Sequence, residues 1–160
     1  ALPILGFATH LGPWLLGTVK ITTGTPAATT RNTGCTIVSQ SIAIGTSGTA
    51  ATAFALPAGA QINAIRFNCT TLYGAGTLKL SIGATDITNT LTLPTSTTGV
   101  TDMTLGAASA TAAGLINNVG SSDVLVTYTL ASATSGAGTI VITYAVRNSD
   151  GSQYPSATQN

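Results

Sequence analysis

Glutamate is absent from this 160-residue chain, and histidine occurs once, as His10. Charged residues make up 6% of it, against about 25% in an ordinary soluble domain. The full set is Lys20, Arg31, Arg66, Lys79 and Arg147 with Asp86, Asp102, Asp123 and Asp150, so the net charge is only +1. Catalysis is the first function class this scarcity disfavours. A Ser or Cys nucleophile needs a base within hydrogen-bond reach, and only His10 is available, with nothing near it in sequence to orient it. Glycoside hydrolysis needs two carboxylates flanking the sugar bond. The four aspartates each stand beside a turn or strand end, where Asp commonly bonds its own backbone. The chain therefore reads as a non-enzyme with no catalytic residue.

Metal and cofactor chemistry is equally poorly served. One histidine and two distant cysteines exclude a zinc site. A calcium site drawn from separate loop aspartates stays open, although no Asp-x-Asp run favours it. Gly74-Ala75-Gly76 lacks the G-K-[ST] ending of a phosphate loop and leads into a strand, so it reads as a hairpin turn. No metal or cofactor residue is assigned. The five basic residues are scattered along the chain, which argues against a nucleic-acid partner. Cys35 and Cys69 are too few for a disulfide scaffold; buried free thiols are the simplest reading, with a single bridge as the alternative. Asn68-Cys69-Thr70 matches the glycosylation triplet by chance.

No uninterrupted apolar run reaches membrane length. Residues 1–20 are apolar, but Pro3, Pro13 and three glycines break them and no basic segment precedes them, so neither a signal peptide nor a spanning helix fits. The leading Ala suggests a chain that has lost its initiator Met and works where it is made, and no membrane partner is expected.

What the chain does contain is hydrophobic residue, at 44%, with Thr, Ser, Ala and Gly. It has neither the low hydrophobicity nor the high net charge of a disordered chain, so it should fold. Its near-neutral surface offers little electrostatic protection against association, which suits assembly into something larger. From about residue 36, short apolar runs are punctuated by turn residues every eight to twelve positions, the pattern of an all-β sandwich or barrel. Three strands alternate strictly: Leu78, Leu80 and Ile82; Val124, Val126, Tyr128 and Leu130; and Ile140, Ile142, Tyr144 and Val146. Five more are expected at 36–44 around Val38, Ile42 and Ile44; 50–56 around Phe54 and Leu56; 61–70 around Ile62, Ile65, Phe67 and Cys69; 87–93 around Ile87, Leu91 and Leu93; and 100–105 around Val100 and Met103. The apolar phase slips between Ile62 and Ile65, which predicts a β-bulge or a strand starting after Ala64. Residues 106–122 read as a long connection with room for a short helical turn.

Eight such strands fit two antiparallel sheets packed face to face, an antiparallel β-sandwich of jelly-roll type. The immunoglobulin-like alternative is weaker because the only tryptophan, Trp14, precedes both cysteines. The expected organisation is an extended apolar N-terminal arm and linker over 1–34, the β-sandwich over 35–148 and a polar tail over 149–160. At roughly 3.3 Å per residue, twenty extended residues reach about 66 Å, whereas a body of about 140 residues has a gyration radius near 14 Å. The arm is long enough to reach a neighbouring subunit, and its Leu2, Ile4, Leu5, Phe7, Trp14, Leu15 and Leu16 are the candidate partner-binding residues. The alternative is that it folds back as an extra strand.

The stretch Leu56-Pro57-Ala58-Gly59-Ala60-Gln61-Ile62-Asn63-Ala64-Ile65-Arg66-Phe67-Asn68-Cys69-Thr70-Thr71, followed by Gly76-Thr77-Leu78-Lys79-Leu80-Ser81-Ile82-Gly83, resembles a pattern in small accessory proteins of tailed bacteriophage virions. There an L-P-A-G-A turn leads into a strand, and a second strand ending in [IV]-G follows. The class is that of the jelly-roll head decoration, or cement, proteins. The resemblance implies a structural virion protein on the capsid surface, made in the host cytoplasm. It also implies a homo-oligomer, a trimer foremost, with the major capsid protein shell as partner and the arm clamping neighbouring subunits. It transfers no residue-level role. The other functional expectation is a receptor- or carbohydrate-binding module of a phage tail or cell surface, with Tyr73, Tyr154 and Trp14 as candidate platform residues.

Overall fold

Side chains that alternate apolar and polar along short segments bury one face of each segment against another sheet, and the longer strands of this chain are built on that pattern. The computed structural model describes residues 20–21, 29–30, 36–48, 51–106 and 109–146. Within them the strands are β1 (Lys20–Ile21), β2 (Thr29–Thr30), β3 (Thr36–Ile44), β4 (Ala51–Leu56), β5 (Gln61–Thr71), β6 (Thr77–Ile82), β7 (Thr85–Asp86), β8 (Leu91–Thr92), β9 (Gly99–Asp102), β10 (Val124–Ala131) and β11 (Ala137–Val146), with one helix, α1 (Ala110–Asn117). β1 and β2 pair only with each other. The other nine form two antiparallel sheets, one ordered β4-β10-β6-β7 with β8 also on β6, the other ordered β3-β11-β5-β9.

The pairings nest. β3 pairs with β11, β4 with β10, β5 with β9, and β6 with β7 and β8. That is one long antiparallel hairpin whose tip lies between β6 and β8. Rolling it up brings β11 against β5 and β10 against β6. The result is the jelly roll expected from the alternation, with nine strands in the two sheets where eight were expected. One consequence matters for function: Thr36, where the sandwich begins, is paired with Val146, where it ends.

The core lies between the sheets. Leu56, Ile65, Phe67, Leu78, Leu80, Val126, Ile140 and Ile142 are all fully buried there. The expected alternations hold: Val126, Tyr128 and Leu130 are buried while Val124 is half-buried, and Ile140, Ile142 and Tyr144 are buried while Val146 is half-buried. The phase slip in β5 is a bulge, because Thr143 pairs with Ala64 and Tyr144 with Ile62, leaving Asn63 as the extra residue. The L-P-A-G-A stretch is a tight turn carrying the chain from one sheet to the other. Ala60 N–H donates to Pro57 O at 3.1 Å, and Gly59 takes the positive φ of 75° that its third position needs.

Three details differ from the sequence reading, and a fourth, the helix for which the connection 106–122 left room, extends it. Gly74-Ala75-Gly76 is no hairpin turn, since β5 and β6 lie in different sheets and the turn crosses between them. Of the strand expected at 87–93 only Leu91–Thr92 (β8) forms, with β7 just ahead of it at Thr85–Asp86: Ile87 N–H reaches Leu80 O, but Leu80 N–H is taken by the Thr88 hydroxyl, which interrupts the ladder. Val100 and Met103 do not share a buried face. They are three residues apart, so only one can point inward from a strand; Met103 is buried and Val100 is 64% exposed. The connection 106–122 holds an eight-residue helix, begun by the Ser109 hydroxyl accepting from Ala112 N–H at 3.1 Å and seated by the buried Ala112.

Candidate interaction surfaces

The ionisable side chains show how the body treats its scarce charge. Arg66 on β5 and Asp102 on β9 are opposite neighbours on the outer face of their sheet, with Nε donating to Oδ1 at 2.7 Å. Lys79 and Ser81, alternate residues on the outer face of β6, both donate to the Asp86 carboxylate on β7, at 2.8 and 2.7 Å. Those bonds, from Lys79 first and Ser81 second, hold the Asp86 carboxyl below its ordinary range. Asp123, just before β10, accepts from Ala58 N–H at 2.9 Å and so steadies the 57–60 turn. The expected duty of these aspartates, bonding their own turns, is met by none of the three: two are in cross-strand ion pairs, and Asp123 serves a turn 65 residues away. Asp150 lies outside the described residues. Among the described residues no three His, Cys, Asp or Glu side chains converge as metal ligands.

The tyrosines are used inside the body. Tyr73 was a candidate platform for glycan binding, but it is 2% exposed, lies against Phe67 with ring centroids 6.0 Å apart, and donates its hydroxyl to Gly45 O at 3.1 Å. Burial pushes its pKa up. The Tyr128 hydroxyl, from the other sheet, donates to Ser47 O at 3.4 Å. Two aromatic side chains thus pin the loop between β3 and β4 from opposite sides. Cys69 is a buried free thiol bonded to Thr71 O.

What remains available for contact is sheet. The outer face of the β3-β11-β5-β9 sheet presents Ser39, Thr143 and Ala64 in one row, Ser41, Val141 and the Arg66–Asp102 pair in the next, and Ala43, Thr139, Asn68 and Val100 in the third. Ile37, 58% exposed, and Val100 occupy opposite corners of this small-residue surface. On the other sheet Leu125 and Ala55, directly paired, form an exposed apolar spot apart from the Lys79–Asp86 cluster.

Comparison of the chain with protein-family models, with curated proteins and with solved structures finds no match.

The sequence-derived contact residues Leu2, Ile4, Leu5, Phe7, Trp14, Leu15 and Leu16 lie outside the described residues, as do His10, Cys35 and Tyr154. The described residues contain no helix long and apolar enough to cross a membrane. Sequence reasoning missed Ile37 and Val100 as surface residues. Strand parity was the available signal, because Ile37 is out of phase with Val38, Ile42 and Ile44 by an odd step from each even-numbered neighbour.

Proposed function

We propose that this chain is a structural virion protein that decorates and stabilises an assembled phage capsid, clamping neighbouring subunits through the segment 1–34. The observation that carries the reading is the pairing of Thr36 with Val146. It makes the first and last residues of the described sandwich neighbours. A segment that grips a neighbouring subunit from there need not involve the far end of the roll. The resemblance of residues 56–71 and 76–83 to head decoration proteins points the same way, and so does the commitment of Arg66, Lys79, Asp86, Asp102 and Asp123 to structural pairs. The competing platform reading loses Tyr73 to the core.

The energetics suit a decorating role. Burying each of Leu2, Ile4, Leu5, Phe7, Trp14, Leu15 and Leu16 contributes about 1.5–3 kcal/mol at 25 cal/mol per Å². Modest contacts repeated over many copies then reinforce a whole shell. Trp14→Ala should abolish co-sedimentation of the protein with shells stripped of it while leaving the sandwich's melting transition in place. Undiminished shell occupancy by that variant refutes the clamp. Glycan-array binding by a chain lacking residues 1–34 supports the receptor-binding alternative instead.

A further inference from the structure

Every open β-sandwich has edge strands, and an edge offers unpaired N–H and C=O groups to any chain able to pair with them. Three of the edges here are blunted. β4 carries a register shift against β10, β7 and β8 are two residues each, and β9 is four residues long with the ion-paired Asp102 at its end. The fourth edge, β3, is different. It runs nine residues, Thr-Ile-Val-Ser-Gln-Ser-Ile-Ala-Ile, in unbroken register with β11, and contains no charge, proline or glycine. Among the described residues, β3 pairs with β11 alone, and β1 and β2, which precede it, pair only with each other.

The side chains of β3 identify what pairs with this edge. Its central five residues are nearly symmetric about Gln40, Ser39 balancing Ser41 and Val38 balancing Ile42, while Ile37 falls opposite Ala43 and Thr36 opposite Ile44. In an antiparallel pair, residues directly opposite point to the same face. Gln40 is the midpoint of Thr36–Ile44, so a two-fold axis through it is the register that pairs all nine residues. Each small outward-facing serine then meets a serine. Val38 and Ile42, only half-buried because their strand is an edge, meet each other and extend both cores. Ile37, exposed in one copy, is covered by Ala43 of the other. Gln40 does not obstruct the approach, because its amide turns inward, donating to Tyr144 Oη at 2.6 Å and to Ala55 O at 3.4 Å across the gap to β4.

The geometry points to β3 as an isologous interface through which two copies of this chain pair edge to edge, antiparallel about Gln40, joining their four-stranded sheets into one. Such a seam builds dimers or assemblies of dimers and cannot close a ring of three, in contrast to the trimer expected from the sequence. The inference does not depend on what residues 1–34 bind.

Charge exchange at the outward-facing, exposed Ser39 and Ser41 tests it on the full chain. Because Ser39 faces Ser41 of the second copy, Ser39→Lys/Ser41→Lys sets like charges opposite one another on both sides of the axis, as does Ser39→Asp/Ser41→Asp. The parent protein should sediment as a dimer in a dilution series. Each variant should self-associate at least about tenfold more weakly and, at dilutions where the parent too is monomeric, should melt as the parent does. An equimolar mixture of the two should recover a one-to-one complex. A parent that stays monomeric, a parent trimer, an oligomer that both variants leave intact, or a mixture that does not recover association overturns the seam.

Discussion

Gly138→Ala tests the account of the core most directly, because at this position packing alone forbids a side chain. Gly138 lies on the inward face of β11, opposite Ile44 on β3 and Cys69 on β5, with backbone dihedrals that do not demand glycine. A β carbon built there sits 2.4 Å from Phe67 Cε2, 2.5 Å from Phe67 Cζ and 2.7 Å from Asn68 O. Carbon atoms in good contact lie about 3.5–4.0 Å apart, so about 1 Å of movement is needed. The Phe67 ring is fully buried and backed by Tyr73, and strands on both sides hold the Gly138 backbone. Overpacking of this kind costs about 1–3 kcal/mol, and the additional collision with a main-chain oxygen puts this site at the upper end. For a domain of this size, about 2–4 °C is lost per kcal/mol, so Tm should fall by about 5–10 °C. Phe67→Leu removes Cε2 and Cζ. In that background Gly138→Ala should cost about 1–2 kcal/mol less than it does alone, a coupling that urea denaturation of the four proteins of the cycle measures. Strict additivity, or a single variant as stable as the parent, refutes the packing argument.

Two titrations give further expectations. The Tyr73 pKa is raised by burial, so between its unfolded value of about 10 and its folded value the native state holds the extra proton. Its contribution is complete below pH 10 and is lost as pH rises through the folded pKa. Tyr73→Phe should cost about 1 kcal/mol at neutral pH through the unsatisfied Gly45 carbonyl and should lose less stability than the parent on going to alkaline pH, read from Tm against pH; parallel curves count against the role of the hydroxyl. The Asp86 carboxyl moves the other way. Its contribution is present above the unfolded value of about 3.9 and disappears as pH falls through the lower folded value. Asp86→Asn should flatten the acid limb of the stability curve by less than about 1 kcal/mol, since both partners are 38% exposed; an unaltered acid limb refutes the linkage.

The strands were legible in the sequence wherever one face meets the core and the other does not. β3, β4, β5, β6, β10 and β11 fall within a few residues of their expected limits because period-two alternation states both the element and its orientation. β5 even announces its bulge through the odd spacing of Ile62 and Ile65. The segment 85–105 was harder to read, for a physical reason. Its strands are short edges, and Thr88 substitutes a hydroxyl for a backbone acceptor, so local hydrophobicity no longer reports pairing. Tyr73 and Gly136 illustrate another limit. Tyr73 follows β5 at a turn and looks exposed, yet it is buried against Gly136, whose missing side chain makes room for the ring. That complementarity joins residues 63 positions apart, and nothing local signals it. The self-association seam depends on topology in the same way: the symmetry of residues 38–42 is visible in sequence, but that β3 is an unblunted edge among the described residues follows only from the nesting of the strand pairs.

The scarcity of charge constrains how such a molecule associates with anything. Of the ionisable side chains of the described sandwich, Arg66 and Asp102 neutralise each other, as do Lys79 and Asp86, and Asp123 is bound to a turn. The charges of the described residues are therefore mostly paired off, and the excess of one sign in one place that long-range attraction needs is not found among them. The proposed contacts rest on short-range forces instead: backbone hydrogen bonds along β3 and burial of the exposed Ile37. Screening by salt weakens charge attraction but not these forces, and excluded salts strengthen apolar burial. A sandwich whose described charges are mostly paired, and whose β3 edge pairs with β11 alone among the described residues, is thus suited to the proposed contacts made by fit, in which register along a strand supplies the specificity that charge patterns supply elsewhere.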